Sequence, residues 1–214
     1  MLTDSSILNV FNLKTYFFTH RGIVKAVNGI NFELKRGECL CLVGESGCGK
    51  SVTALSMLRL FESPPGMIVE GAITYENQDL VNMPIRELRN IRGKEIAMVF
   101  QDAQSALNPV FTIGDQIVEQ IRIHNEIGRT EARDKALDLL KQMGIPDAER
   151  AYSSYPHQLS GGMRQRSMIA MSLSCEPKIL IADEPTTAVD VTIKAQILDF
   201  MLHVRQILAV TKYL

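Results

Sequence analysis

An α/β fold is predicted, and three observations carry that expectation. Apolar runs of strand length recur along the chain: Cys39-Leu40-Cys41-Leu42-Val43, Ile96-Ala97-Met98-Val99-Phe100 and Ile179-Leu180-Ile181-Ala182. Between them lie stretches with apolar residues at helical spacing, such as Ala132, Ala136, Leu137, Leu140 and Met143. The first run leads directly into a glycine-rich stretch, Gly44-Glu45-Ser46-Gly47-Cys48-Gly49-Lys50-Ser51, and Val52 to Leu58 can continue from it as a helix.

In chain order, Ile7 to Leu13 alternates loosely and reads as a strand. Val24 to Leu34 predicts two short strands broken at Asn28-Gly29, a strong turn dipeptide. Lys35-Arg36-Gly37-Glu38 is a turn into the run before the glycine loop, so the early part is β-rich. Ser63-Pro64-Pro65-Gly66 separates the first helix from a strand at Gly71 to Tyr75. Pro84 can open a short helix through Leu88, since its fixed φ suits a first helical turn. Asp102 to Pro109 reads as a loop, after which helical patterning dominates to Tyr155. There Thr130 is the expected N-cap of a helix closed by Gly144. Arg164 to Leu173 predicts a further helix, and Gln196 to Val210 an amphipathic one.

Composition narrows the function classes. With 46% hydrophobic and 22% charged residues, the 214-residue chain is that of an ordinary globular protein of one large or two small domains. A net charge of -1 supplies no basic field for nucleic acid. No run approaches the roughly 18 apolar residues of a membrane-spanning helix. Met1 to Ser6 has neither a positive n-region nor an apolar h-region, so export is not expected. Cys39 and Cys41 fall on one face of a strand and are expected to be small buried residues; with Cys48 and Cys175 they lack metal-ligand spacing.

The glycine-rich stretch fits G-x-x-x-x-G-K-[ST] at every fixed position, between a strand and a helix. Glycines let the backbone approach a ligand closely, and successive N–H groups at a helix N-terminus form an anion nest. Lys50 can reach the β- and γ-phosphates of a nucleotide, and the Ser51 hydroxyl can coordinate Mg²⁺. Downstream, Ile179 to Ala182 delivers Asp183-Glu184 to a strand end, a weak pattern alone but informative after such a loop. Asp183 is expected to hold Mg²⁺, and Glu184 to orient and polarise the attacking water. Ser160, Gly161 and Gly162, in Leu159-Ser160-Gly161-Gly162-Met163-Arg164-Gln165-Arg166, precede a helix and can form a second anion site. The plain alternative there is a helix start with a tight packing turn.

These three motifs, in this order, resemble the ATP-binding cassette family over almost the whole chain. The resemblance implies a P-loop NTPase, RecA-like core with an N-terminal antiparallel β subdomain and an inserted helical subdomain at about 102–160. Gln101 sits where the family has its Q-loop glutamine, a Mg²⁺ and water ligand that senses the membrane partner. Pro185 to Asp190 resembles the D-loop, with Val189 where leucine is usual. Gln101 to Pro109, Tyr155 to Gln158 and Asp190 to Ile193 are similar to the oligopeptide/dipeptide and nickel importer ATPase subunits. Two departures stand out. The family's adenine-stacking aromatic falls near Arg21, with His20, Phe18 and Phe17 close by, and the residues leave that contact unassigned. The family's γ-phosphate histidine comes after a later strand, whereas the histidines here are His20, His124, His157 and His203, the last expected on a helix surface. The chain reaches Thr211-Lys212-Tyr213-Leu214 about where that strand should begin, so the single domain over 1–214 is expected to lack its last core strand or strands.

The function that the resemblance implies is that of an ATP-binding and ATP-hydrolysing importer subunit for di- and oligopeptides, peripheral on the cytoplasmic face of the cell's inner membrane. ATP and Mg²⁺ are the implied cofactors. The implied catalytic residues are Glu184, Lys50 and Gln101. Gly44, Glu45, Ser46, Gly47, Cys48, Gly49, Lys50, Ser51, Gln101, Asp183, Ser160, Gly161 and Gly162 are the nucleotide contacts, with Ser51, Gln101 and Asp183 the metal ligands. Implied partners are a second, paralogous ATPase subunit, two integral membrane permease subunits and, indirectly, an extracytoplasmic solute-binding protein; nucleic acid is not among them. Competing readings are a non-hydrolysing nucleotide-binding fragment, an importer for nickel or another small solute, and a DNA-repair ATPase. The last would need long coiled-coil or basic inserts between the motifs, which are absent.

Overall fold

The structure, a computed structural model, describes residues 6–184 and the backbone of 206–212. The chain divides into two compact units, Met1–Arg89 with Arg205–Leu214, and Asn90–Val204.

In the first unit, β1 (Ser6–Thr19) pairs antiparallel with β2 (Gly22–Lys35). β3 (Cys39–Gly44) runs into the glycine loop and α1 (Lys50–Met57). β4 (Gly66–Tyr75) pairs with the other edge of β1 and with β5 (Gln78–Asp79), giving the antiparallel order β2-β1-β4-β5. Leu8, Val10, Leu13, Leu34, Ile73, Tyr75 and Leu80 are buried in this unit's core. Full burial stabilises by roughly 1.5–3 kcal/mol per large apolar side chain. The hydroxyls of Thr15 and Ser56, both buried, share a hydrogen bond of 2.8 Å.

Three expectations change here. Asn28-Gly29 is no turn: β2 is continuous, and Gly29, at φ 81, is the extra residue between the pairs Leu13↔Ile30 and Lys14↔Asn28. The left-handed φ that suits a turn also suits a β-bulge, and long pairing on β1 selects the bulge. The thiols of Cys39 and Cys41 are exposed, because Leu40 and Leu42 occupy the better-covered face of β3. Period-two alternation says which residues share a face, not which face is covered. Finally, β8 (Gln206–Lys212) is a strand where a helix was expected through Val210; it runs parallel to β3 from Cys39↔Ile207 to Gly44↔Lys212. A strand was expected to be only beginning at Thr211; the backbone is already a strand from Gln206, in an apolar run that pairs with β3. The remainder of the expected helix, His203, the D-loop stretch and Asp190 to Ile193 lie outside the described residues.

α2 (Ile85–Ile91) comes after Pro84 as expected. In the second unit, β6 (Ile96–Val99) and β7 (Ile179–Asp183) form a parallel ladder whose residues are all buried. Between them run α3 (Ala103–Ala106), α4 (Ile113–His124), α5 (Arg129–Gln142), α6 (Ala148–Ser153), a 3₁₀ turn (Pro156–Gln158) and α7 (Gly161–Leu173). The expected loop from Asp102 to Pro109 thus holds a short helix, because Asp102 caps it by accepting from the N–H of Gln104. The N-cap of α5 is Gly128, not Thr130, which lies in the first turn: Gly128 is extended and its carbonyl accepts from Ala132 N–H. Gly144 ends the helix as expected, at φ 64. Ser172 on α7 donates its hydroxyl to the Met98 and Met168 carbonyls, tying the helix to β6. Among the described residues no helix is long and apolar enough to cross a membrane.

Candidate functional site

The glycine loop leaves β3 and enters α1 through Gly49, which holds φ 96 in the left-handed region. A Cβ there would lie 2.2 Å from the Ala26 carbonyl oxygen, so only glycine lets the loop pass this close to β2. No side chain caps α1, and its first turn carries no acidic residue. The first-turn N–H groups and the positive end of the helix dipole are therefore open to an anion. Lys50 folds its ammonium over the loop and donates to the carbonyls of Gly44 and Glu45, both at 2.7 Å. Its Nζ also lies 3.7 Å from the exposed Cys48 thiol. Ser46 and Gly47, at φ 81, form the loop's bend, and Ser51 stands in the first turn of α1. Cradle, cation and open helix N-terminus fit a nucleotide's phosphates. The hydroxyl of Ser51, in the first turn of α1, is a hard oxygen donor of the kind Mg²⁺ prefers.

In the second unit, Asp183 closes β7 and Glu184 turns out of the strand at φ 46; both are buried. Gln101 Nε2 donates to Glu184 Oε2 at 2.9 Å. The structure thus joins two residues whose contact the sequence alone does not reveal. Their equal distance beyond the registered pair Val99↔Ala182 is the signal, and it needs the strand order.

The Ser160 stretch is a helix start, as expected, but the helix begins at Gly161 rather than Arg164, with Ser160 as its N-cap. Ser160 Oγ accepts from Met163 N–H at 3.3 Å, and Gly161 and Gly162 form the first turn of α7. Two arginines to which the sequence assigned no task hold this segment from behind. Arg164 donates to the Leu159 carbonyl at 2.8 Å, and Arg166 to those of Gly162 and Gly144 at 3.3 and 2.6 Å. Their spacing, i and i+2 at a helix start, was the available clue. The first turn of α7 has no carboxylate, and a Cβ on Gly161 would meet no atom within 4 Å.

Around the β1–β2 turn, His20 and Arg21 are exposed and Phe18 is 45% exposed. Phe17 packs edge-on against Phe61 with centroids 6.0 Å apart.

A family model described as ABC transporter matches residues 27–187. The oligopeptide transport ATP-binding protein AppD of Bacillus subtilis (strain 168) is 51% identical over 197 residues, 92% of this chain and 60% of its own length. The dipeptide transport ATP-binding protein DppD of the same strain is 48% identical over 200 residues, 94% of this chain and 60% of its own. The chain thus spans about 60% of the length of these curated relatives. Among solved structures, the dimeric ATP-binding cassette MJ0796 in a post-hydrolysis state bound to ADP and Pi aligns with a TM-score of 0.85 at 27% identity, covering 95% of this chain and 87% of that one. The matched span takes in the glycine loop, Gln101, the Ser160 helix start and Asp183-Glu184, and the chain belongs to the ABC transporter family.

Proposed function

We propose that this chain is the ATP-binding and ATP-hydrolysing subunit of an importer for di- and oligopeptides. The observation that carries the reading is the phosphate cradle: an uncapped helix N-terminus, left-handed glycines and Lys50 poised over the loop carbonyls. The similarity to AppD and DppD supports the peptide class. The loop N–H groups and Lys50 bind the triphosphate, neutralising charge that grows on it in the transition state. Ser51, Gln101 and Asp183 would hold Mg²⁺, which would supply charge stabilisation at the phosphates. Glu184 aligns the water for in-line attack on the γ-phosphate. Ser160, Gly161 and Gly162 face the nucleotide of a second, paralogous ATPase subunit. Two membrane permease subunits carry the peptide, a solute-binding protein delivers it, and this chain sits on the cytoplasmic face of the membrane. The chain is one ATPase domain, with the helices at about 102–160 an inserted subdomain.

Calorimetry and phosphate release test the reading. Lys50→Ala weakens ATP binding by roughly 100-fold, the loss of a charge-assisted pair of bonds. Glu184→Gln retains ATP binding while turnover falls by about two orders of magnitude or more. Unchanged ATP affinity in Lys50→Ala, or parental turnover in Glu184→Gln, overturns the assignment. Reconstitution with the permease subunits in proteoliposomes, with ATP-dependent dipeptide uptake as the readout, tests the substrate class.

A further inference from the structure

The first turn of α7 needs support that its own residues do not give. Gly161 and Gly162 open the helix, and glycine has the widest backbone freedom of any residue. Of the first N–H groups, that of Met163 goes to the Ser160 hydroxyl at 3.3 Å and that of Arg164 to the Ser160 carbonyl at 2.9 Å. Those of Gly161 and Gly162 are the ones left for an anion. Where they point depends on how the peptide planes around them are held. Arg166 holds one plane from the next turn, where its Nε donates to the Gly162 carbonyl at 3.3 Å. That carbonyl shares a peptide plane with the Met163 N–H, so the bond also steadies the Ser160 cap. The same guanidinium reaches out of α7, where Nη1 donates to the Gly144 carbonyl at 2.6 Å. Gly144 sits just past α5 at φ 64, and its own N–H returns to the Lys141 carbonyl at 2.9 Å, so the acceptor is itself fixed. A guanidinium is planar, presents its donors at fixed angles and makes the stronger, charge-assisted kind of bond. Arg164, by contrast, donates to the carbonyls of Leu159 and Pro156, within its own segment.

We propose that Arg166 is a positioning residue for ATP hydrolysis. By bridging the Gly162 and Gly144 carbonyls it anchors the glycine turn of α7 to the end of α5, and so sets the angle at which the Gly161 and Gly162 N–H groups meet a phosphate. This rests on the reading of Ser160 to Gly162 as contacts to the nucleotide of a second ATPase subunit. Arg166 touches no nucleotide itself. It acts through two glycines that cannot fix their own geometry, and a donor displaced from where charge develops loses most of its effect on rate. The bridge needs the arginine fork: a lysine at the same place keeps the charge but not the two donors at fixed angles.

The experiment compares Arg166→Ala, Arg166→Lys and a control, Arg133→Ala, in the assembled importer. Arg133 lies on α5 and bonds Glu149 at 2.7 Å, so its loss weakens the same helical region without touching the glycine turn. Phosphate release is counted per ATP site, with the sites titrated by calorimetry, so that a smaller folded fraction does not register as slower chemistry. Arg166→Ala should lower kcat by about tenfold or more, with KM and ATP binding at this chain's own Lys50 loop within about threefold of the parent. Arg166→Lys should recover less than half of that loss, and Arg133→Ala should leave kcat unchanged. In the isolated chain, the Gly161 and Gly162 amide resonances should shift in Arg166→Ala and stay in place in Arg133→Ala. Should Arg166→Ala fail to fold, Arg166→Lys carries the test, with a loss of about threefold or more expected. Parental kcat in the Arg166 variants, full rescue by lysine, or unmoved glycine amides overturn the proposal. Gly162→Asp is run alongside. If it leaves turnover unchanged, the reading of the helix start as a nucleotide contact fails and takes the proposal with it. If it abolishes turnover while Arg166→Ala does not lower it, the positioning role alone is overturned.

Discussion

Gly49 and Ser167 show how much a single position carries. Gly49 joins a left-handed φ to a close approach to the Ala26 carbonyl, so Gly49→Ala meets backbone strain and an immovable oxygen together. We expect it to cost about 2 kcal/mol or more, read as a lower denaturation midpoint at unchanged m-value. Ser167 is the opposite case. Its hydroxyl is fully buried in α7 and finds no hydrogen-bond partner among the described residues. Burying an unmatched hydroxyl costs free energy that alanine does not incur. Ser167→Ala is therefore expected to stabilise the chain by about 1 kcal/mol, and a midpoint that falls instead would show a bond formed in solution.

At the scale of an element, the turn after β5 is held by one carboxylate. Asp79 accepts from Val81 N–H at 2.9 Å, Asn82 N–H at 3.3 Å and the Asn82 carboxamide at 2.7 Å. Burial pushes its pKa upward, but these bonds, with the Arg59 charge, outweigh that and leave it below the ordinary value. A carboxyl whose folded pKa is depressed favours the ionised native state. Its contribution is complete above the unfolded pKa of about 3.9 and is lost as pH falls through the lower folded value. Urea unfolding of parent and Asp79→Ala should thus differ by about 1 kcal/mol at pH 7, the worth of the bonds the carboxylate accepts, and converge at acid pH, below the depressed folded value. A difference that is the same at both pH values would assign the loss to packing.

The largest scale is set by what the helix start at Ser160 leaves unused. Glycine at Gly161 answers no need within the described residues: no positive φ holds it and no atom crowds it. On the proposed function, the nucleotide of a second ATPase subunit comes close to this helix start, and Gly161 leaves room for it. Gly161→Ala should leave unfolding unchanged or raise stability by up to about 1 kcal/mol, since alanine is the better helix former. Mixed with a partner ATPase subunit, the same variant should depress turnover at the partner's phosphate loop while ATP binding at this chain's Lys50 loop persists. The complementary substitution Gly162→Asp should repel the partner's γ-phosphate more strongly. Loss of this chain's own nucleotide binding in either variant would show that the segment acts within one chain.

Local chemistry was legible from residues alone. Gly44 to Ser51 announced a phosphate loop because glycine spacing, lysine and hydroxyl are the chemistry itself, and Gly144 ends its helix as its residue type suggests. The sequence by itself thus determined the family, the α/β class and the candidate ligating residues. Tertiary structure alone decided that Asn28-Gly29 forms a bulge, that Leu40 and Leu42 occupy the covered face of β3, and that Gln206 to Lys212 is a strand beside it. It also decided that Gln101 meets Glu184. Each of these depends on which strand lies next to which and in what register, and residues far apart in the chain set that through pairing and burial, which no local window of sequence contains.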